Sequence, residues 1–458
     1  MKDIRWTNFV YDKGKYHFLF ISELKAYGLG HFFKIAISKA LDIPEYKIVC
    51  ITIAPDIFEQ YNYENLIIIN HIKTKENKRK PHDEFMKDIS NSSYLDKLTD
   101  KILKNQTKLY VYMFESSEFM TIDKKNNIVV VGPKSDIVKT LSNKISLYEI
   151  FSSIVPMADH FVANNYVELI KKANELFQTH DKLFVSLEQS AAGANSIIAS
   201  NINDIKNRFE NKTQDIFLIT SYIKHTCDPT SLAVVINENY VYFAGIADQS
   251  IEGTSFRGST CPSKTPPHIQ QEIKKQTIQV GLAMAKMGYR GIYGCDFITT
   301  NKNKIYFIEV NPRKQGTTME FCCSLHTMLP VGAPNLPEIE FYAVIKDNKA
   351  PNMVNIEALK QNIYWATYNQ KLKNRLKTIS YLPQQRGEIE MFEAVASSKL
   401  TKEYMILEHV GQEFFVNEGS FLARVIATGQ NYKDVEAGVD MGKKLIAWTI
   451  TQDNKKDK

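Results

Sequence analysis

Two carboxylates, one amide and one guanidinium stand in, or just beyond, two otherwise apolar runs between residues 291 and 316: Asp296, Glu309, Asn311 and Arg313. A carboxylate on a buried strand is costly unless something partners it. Glu309 and Asn311 lie two apart, so on a strand they share a face. Oxygen donors of this kind suit a hard divalent cation such as magnesium. That ion keeps an octahedral shell and takes one or two protein carboxylates together with substrate phosphates. Arg313, just past the strand-ending Pro312, can brace a phosphate or a developing anion. A cation with a guanidinium close by is the minimum for phosphoryl transfer, where positioning and charge neutralisation do most of the catalysis.

Whether Asp296 joins the other two depends on the turn. Two apolar runs, 292–299 and 304–311, flank a polar segment and predict a hairpin. An even number of loop residues places Asp296 on the face of Glu309 and Asn311. A three-residue loop without a bulge places it on the opposite face and removes the site.

The elements that would carry these groups read as a mixed α/β chain. Apolar runs at 17–22, 46–53, 66–70, 109–114 and 128–131 predict strands, with an amphipathic helix over 31–41, and together suggest a parallel sheet. Gly28-Leu29-Gly30 lacks the third glycine of a dinucleotide fingerprint, since position 33 is Phe33. It reads as tight packing, or as contact with a non-nucleotide substrate. Helices are expected over 136–152, 166–177 and 269–287, the last stopped by Gly288, and strands over 183–187, 216–223, 231–236 and 240–246. The Gly-, Ser-, Thr- and Pro-rich stretch 250–267 reads as a long loop. Late in the chain, 421–427 predicts a strand and 435–448 a helix.

Composition excludes several classes. The chain has 458 residues, 44% hydrophobic and 24% charged, which suits a globular protein of several packed units. The net charge of +6 is a weak bias over this length and does not indicate nucleic acid. The densest basic run, 73–80, reads as a solvated loop. Six cysteines occur without a CxxC pair, so neither a zinc site nor a redox motif is indicated, and free thiols fit the cytoplasm. The N-terminus has no apolar core of a signal peptide, and no run approaches the roughly 18 apolar residues of a spanning helix.

In the segments YRGIYGCDFI and YFIEVNPRKQGTT the chain resembles the ATP-grasp superfamily, in the carboxylate–amine ligase branch containing biotin carboxylase, carbamoyl-phosphate synthetase and amino-acid ligases. The resemblance implies an α/β ATP-grasp fold in four parts. These are an N-terminal parallel α/β domain (1–135), a lobe with a small lid subdomain (136–225), a catalytic lobe (226–346) and a smaller C-terminal unit (347–458). It implies ATP, with Mg2+ or Mn2+ held by Asp296, Glu309 and Asn311, and Arg313 steadying the transferred group. Lys144 matches an early phosphate-binding lysine. Glu188 and Gly193, in VSLEQSAAGANS, match the glycine-rich loop, and Ser221, Tyr222 and Ile223 match the hinge that holds adenine. Gln249 and Arg257 fall where the family places active-site polar groups. By spacing, Ser186 stands where relatives carry a second lysine, and Thr220 where the hinge often has Glu. The implied activity is the coupling of a small-molecule carboxylate, an amino acid or peptide by default, to an amine through an acyl phosphate. No nucleic-acid or membrane partner is expected, and a homodimer is the default assembly. Two other readings stay open: a carboxylase- or kinase-like enzyme of the same fold, and a non-catalytic nucleotide-binding sensor or partner module.

Overall fold

The computed structural model describes residues 4, 6–55, 64–69, 76–77, 81–122, 125–188, 195–253, 255–345, 352–378, 387–407 and 413–456. The chain packs as two compact units. One comprises 1–135, 290–292 and 313–458, and the other 136–289 and 293–312. Of the basic run 73–80, only 76–77 are among the described residues.

The first unit opens with the expected parallel sheet. Strands Leu66–Ile68, Ile48–Ala54, Tyr16–Ile21, Leu109–Met113 and Ile128–Val131 lie side by side in that order, every neighbouring pair parallel. Both faces are covered, which is why these strands read as near-continuous apolar runs. Leu19, Ile21, Ile51, Ile53, Val111 and Met113 pack on helices His82–Ser90 and Ser93–Leu103. On the other face an aromatic layer forms against helix Leu29–Leu41, with Phe33 stacked on Tyr112 at 4.0 Å. Gly30 lets that helix approach the sheet, because a Cβ there would lie 2.5 Å from Cys50 Sγ. The tight-packing reading of the Gly28–Gly30 turn thus holds at Gly30. The same unit ends in antiparallel strands Tyr364–Lys371, Phe421–Gly429 and Lys402–Leu407, covered by helix Tyr432–Lys456.

The second unit holds two antiparallel arrays. His160–Ala163, Phe217–Ser221, Leu183–Leu187 and Ser196–Ala199 form one sheet, with helices Tyr166–Leu176 and Ile202–Phe209 packed on it. The other runs Ile305–Asn311, Gly291–Thr299, Asp228–Asn237, Tyr240–Glu252 and Ser255–Cys261, backed by helix Pro267–Lys286.

Two expectations are corrected here. Residues 136–152 are two helices, Ser135–Ser142 and Lys144–Phe151, because Asn143 adopts extended backbone angles and caps the second. Much of 250–267 is a strand rather than a loop. Ser255–Cys261 pairs with Tyr240–Glu252, matching Thr260 to Asp248 and Ser259 to Gln249. The ladder is made by backbone groups, so the small polar side chains that suggested a loop do not oppose it.

Candidate active site

The hairpin brings the three oxygen-bearing side chains together, but not by the expected route. Thr299 pairs with Ile305, so residues 300–304 form a five-residue loop, an odd number. That register alone would set Asp296 opposite Ile308. A β-bulge intervenes: Phe297 pairs with Phe307, then Asp296 pairs with Glu309 and Gly294 with Asn311, leaving Ile308 as the extra residue. Burial follows the phase change. Ile305 and Phe307 are buried before the bulge and Val310 after it, while Glu309 and Asn311 stay half-buried on the side of Asp296. The even-loop premise fails, and the bulge restores the shared face.

The site is polar and directed. Asp296 accepts hydrogen bonds on both oxygens, from Gln249 Nε2 at 2.7 Å and from Asn311 Nδ2 at 3.0 Å. The Asn311 amide donates through nitrogen, and its carbonyl oxygen is the end a cation would take. Lys144 Nζ lies 3.3 Å from Glu309 Oε2. Burial first, and the Glu309 charge second, push the Tyr148 phenol well above its usual range, so it stays neutral beside the acids. Among the described residues no group of three or more His, Cys, Asp and Glu could hold a metal. Two carboxylates and an amide fit a cation that completes its shell with phosphate and water.

Lys144 owes its position to Asn143, which sequence reasoning missed. The Asn143 side-chain oxygen accepts from the backbone N–H groups of Ile145 and Ser146 at 2.9 and 3.1 Å. Its amide nitrogen donates to Glu188 Oε2 at 3.2 Å, and Lys144 N–H donates to the Glu188 carbonyl at 2.9 Å. Glu188 and Lys144 are thus neighbours. The signal was present: an Asn before an apolar helical run is a cap signature. Asn143→Ala should cost about 1 kcal/mol of stability, read by denaturant unfolding.

The other candidates have local partners of their own. Gly193 lies outside the described residues. Ser221 ends its strand, Tyr222 N–H donates to the Lys182 carbonyl at 3.1 Å, and the Ile223 carbonyl accepts from His225 Nδ1 at 2.8 Å. Arg257 pairs with Glu252, its Nε 2.7 Å from Oε2, and Arg313 pairs with Glu115 at 3.3 Å. Ser186 is fully buried and its hydroxyl has no hydrogen-bond partner among the described residues.

His225 also holds Asp228, with Nε2 3.0 Å from Oδ1. Both ring nitrogens face acceptors, so only the imidazolium donates to both. The Asp228 hydrogen bond chiefly raises the His225 pKa, against the opposing effect of burial. Stabilisation from this clasp is therefore complete below the ordinary His value of about 6.5 and is lost as pH rises through the raised value. The gap in melting temperature between the wild type and His225→Ala should shrink from pH 6 to pH 8.

Comparison with known proteins agrees with this architecture. Residues 141–317 match the ATP-grasp domain family. The alpha subunit of mitochondrial methylcrotonoyl-CoA carboxylase from Dictyostelium discoideum is 20% identical over 217 residues. The match covers 45% of this chain and 30% of that protein, so the chain spans under a third of that relative's length. A biotin carboxylase complex from Campylobacter jejuni superposes with a TM-score of 0.63 at 13% identity, covering 93% of this chain and 90% of that one. The biotin carboxylase domain of 2-oxoglutarate carboxylase from Hydrogenobacter thermophilus, in complex with MgADP, ADP and bicarbonate, gives 0.64 at 14% identity, covering 94% and 89%. N5-carboxyaminoimidazole synthetase from Staphylococcus aureus, in complex with ADP, gives 0.57 at 11%, covering 95% and 99%. Among the described residues no helix is long and apolar enough to cross a membrane. The chain carries an ATP-grasp domain, and its α/β fold is the one found in biotin carboxylase.

Proposed function

We propose that this protein is an ATP-dependent ligase that activates a carboxylate as an acyl phosphate and couples it to an amine. The observation that carries the proposal is the convergence of Asp296, Glu309 and Asn311 on one face of the bulged hairpin, with Lys144 against Glu309, inside an ATP-grasp domain. In this reading the three oxygen-bearing side chains hold magnesium, and Gln249 orients Asp296 toward it. When bound, the cation neutralises the ATP phosphates. Lys144 faces those phosphates, with Glu188 beside it. The segment Ser221–Ile223 offers backbone groups to the adenine. Arg313 steadies the phosphoryl group as the substrate carboxylate attacks the γ-phosphorus and ADP leaves. Arg257 contributes from its strand, in exchange for its pairing with Glu252. The amine then attacks the acyl carbonyl and phosphate departs. Holding both substrates together makes that second step effectively unimolecular.

The kinds of relative favour a second reading, in which the activated acid is bicarbonate and the product a carboxylated acceptor. Phosphate release from MgATP, measured across acids and amines with hydroxylamine as an acyl-phosphate trap, separates the two. Release that requires an organic acid and yields a hydroxamate supports the ligase. Release stimulated by bicarbonate alone supports the carboxylase. Tight ATP binding with no acid-dependent release contradicts both.

A further inference from the structure

Lys314 and Glu340 form an ion pair sealed from solvent, with side chains 1% and 0% exposed and Nζ 2.6 Å from Oε2. Lys314 Nζ also donates to the Met113 carbonyl at 2.6 Å and lies 4.1 Å from the centroid of the Tyr112 ring. The other carboxylate oxygen of Glu340 accepts from the Ile292 N–H at 3.1 Å. Gly291, at φ +129°, leaves room for it, since a Cβ there would sit 2.8 Å from that oxygen. Attraction within a buried ion pair often fails to offset the cost of desolvating both charges, so such a pair is weak as a pure stability device.

The path of the chain suggests another role. Residues 290–292 and the chain from 313 onward belong to the first unit, and 293–312 between them to the second. Through Ile292 and Lys314, Glu340 therefore grips the segment that leads into the acid-bearing hairpin and the segment that leads out of it. Between Pro312 and Lys314 stands Arg313. Its Nη1 donates to the Lys314 carbonyl at 3.0 Å, and the Lys314 N–H donates to the Phe114 carbonyl at 3.2 Å, next to Glu115, the ion-pair partner of Arg313.

We propose that Lys314 and Glu340 are positioning residues: a buried clamp that fixes both ends of the hairpin and sets the backbone from which Arg313 acts. This rests on the role given to Arg313 above, and the test separates the two. Lys314→Met and Glu340→Gln singly each strand a polar partner and lower the melting temperature. The double variant removes both charges and recovers most of that loss. In the double variant, hydrogen exchange without nucleotide should be at least about tenfold faster in peptides covering 290–296 and 311–318, because the ion pair that ties the two segments together is gone. Phosphate release from MgATP should fall by about ten- to a hundredfold in kcat with the KM for ATP little changed, as displaced catalytic groups produce. In an Arg313→Ala background the same pair of changes should lower kcat less than about twofold, since groups acting as a unit are not additive. Native exchange in both peptides would overturn the clamp whatever the activity. Faster exchange with a kcat insensitive to Arg313→Ala would keep the clamp and remove Arg313 from the reaction. Should the double variant not fold, Glu340→Asp, which keeps the charge and shortens its reach, is read by the same exchange measurement.

Discussion

Asp296→Asn should lower phosphate release from MgATP by about a thousandfold, the rate equivalent of losing several kcal/mol of cation-based charge stabilisation. The protein should remain folded. Asp296 and Glu309 stand directly across the two hairpin strands, where like charges repel. Neutralising one relieves that repulsion in the unliganded protein, so its melting temperature should hold or rise slightly. The substituted amide still accepts from one donor, Gln249 or Asn311. Activity and stability should therefore move apart, and parallel thermal melts and turnover assays of the variant would show it. A variant that loses both together would point to Asp296 as a structural residue.

Arg424→Met should cost about 3–5 kcal/mol, the expected penalty for stranding one member of a buried ion pair. Arg424 and Glu320 are 2% and 0% exposed, with Nη2 2.5 Å from Oε1. The same nitrogen donates to the Gly316 carbonyl at 2.7 Å, and Nη1 donates to Asn369 Oδ1 at 3.4 Å. Removing the guanidinium leaves the fully buried Glu320 carboxylate without its counter-charge. Adding Glu320→Gln should recover a large part of the loss, because the stranded Glu320 charge is then removed as well. Urea unfolding of the three proteins, followed through a probe in the first unit such as the buried Trp365, measures both effects.

These two sites differ in how far they could be read from the amino-acid order. The hairpin was legible because strand periodicity is local: Glu309 and Asn311 share a face wherever the strand lies. Asp296 was legible only conditionally. Its side depends on loop length and on the bulge at Ile308, and nothing in FIEVN marks Ile308 as the extra residue. The ion pairs were not legible at all. Lys314 meets Glu340 and Arg424 meets Glu320 only through tertiary packing, and each partner alone resembles a surface charge. Ser255–Cys261 was missed for a different reason. Side-chain composition speaks for or against a strand only through packing, and this strand is held by its backbone ladder to Tyr240–Glu252. The single helix expected over 136–152 failed at one residue, Asn143, where a side chain competes with the helix for backbone N–H groups.

The fold follows from the same physics. Five parallel strands buried on both faces account for the apolar runs of the first 131 residues. In the second unit Asp296, Glu309 and Asn311 are each only partly buried on the hairpin, so their polar groups keep some access to solvent.

Electron paramagnetic resonance titration of Mn2+ against the protein, with and without ADP, tests the central claim most directly. The wild type should bind the ion tightly only when ADP is present, and Asp296→Asn and Glu309→Gln should each abolish that ADP-dependent signal. Equal Mn2+ binding by the wild type and both variants would mean that these carboxylates do not hold the cation, and the account of the active site would fail.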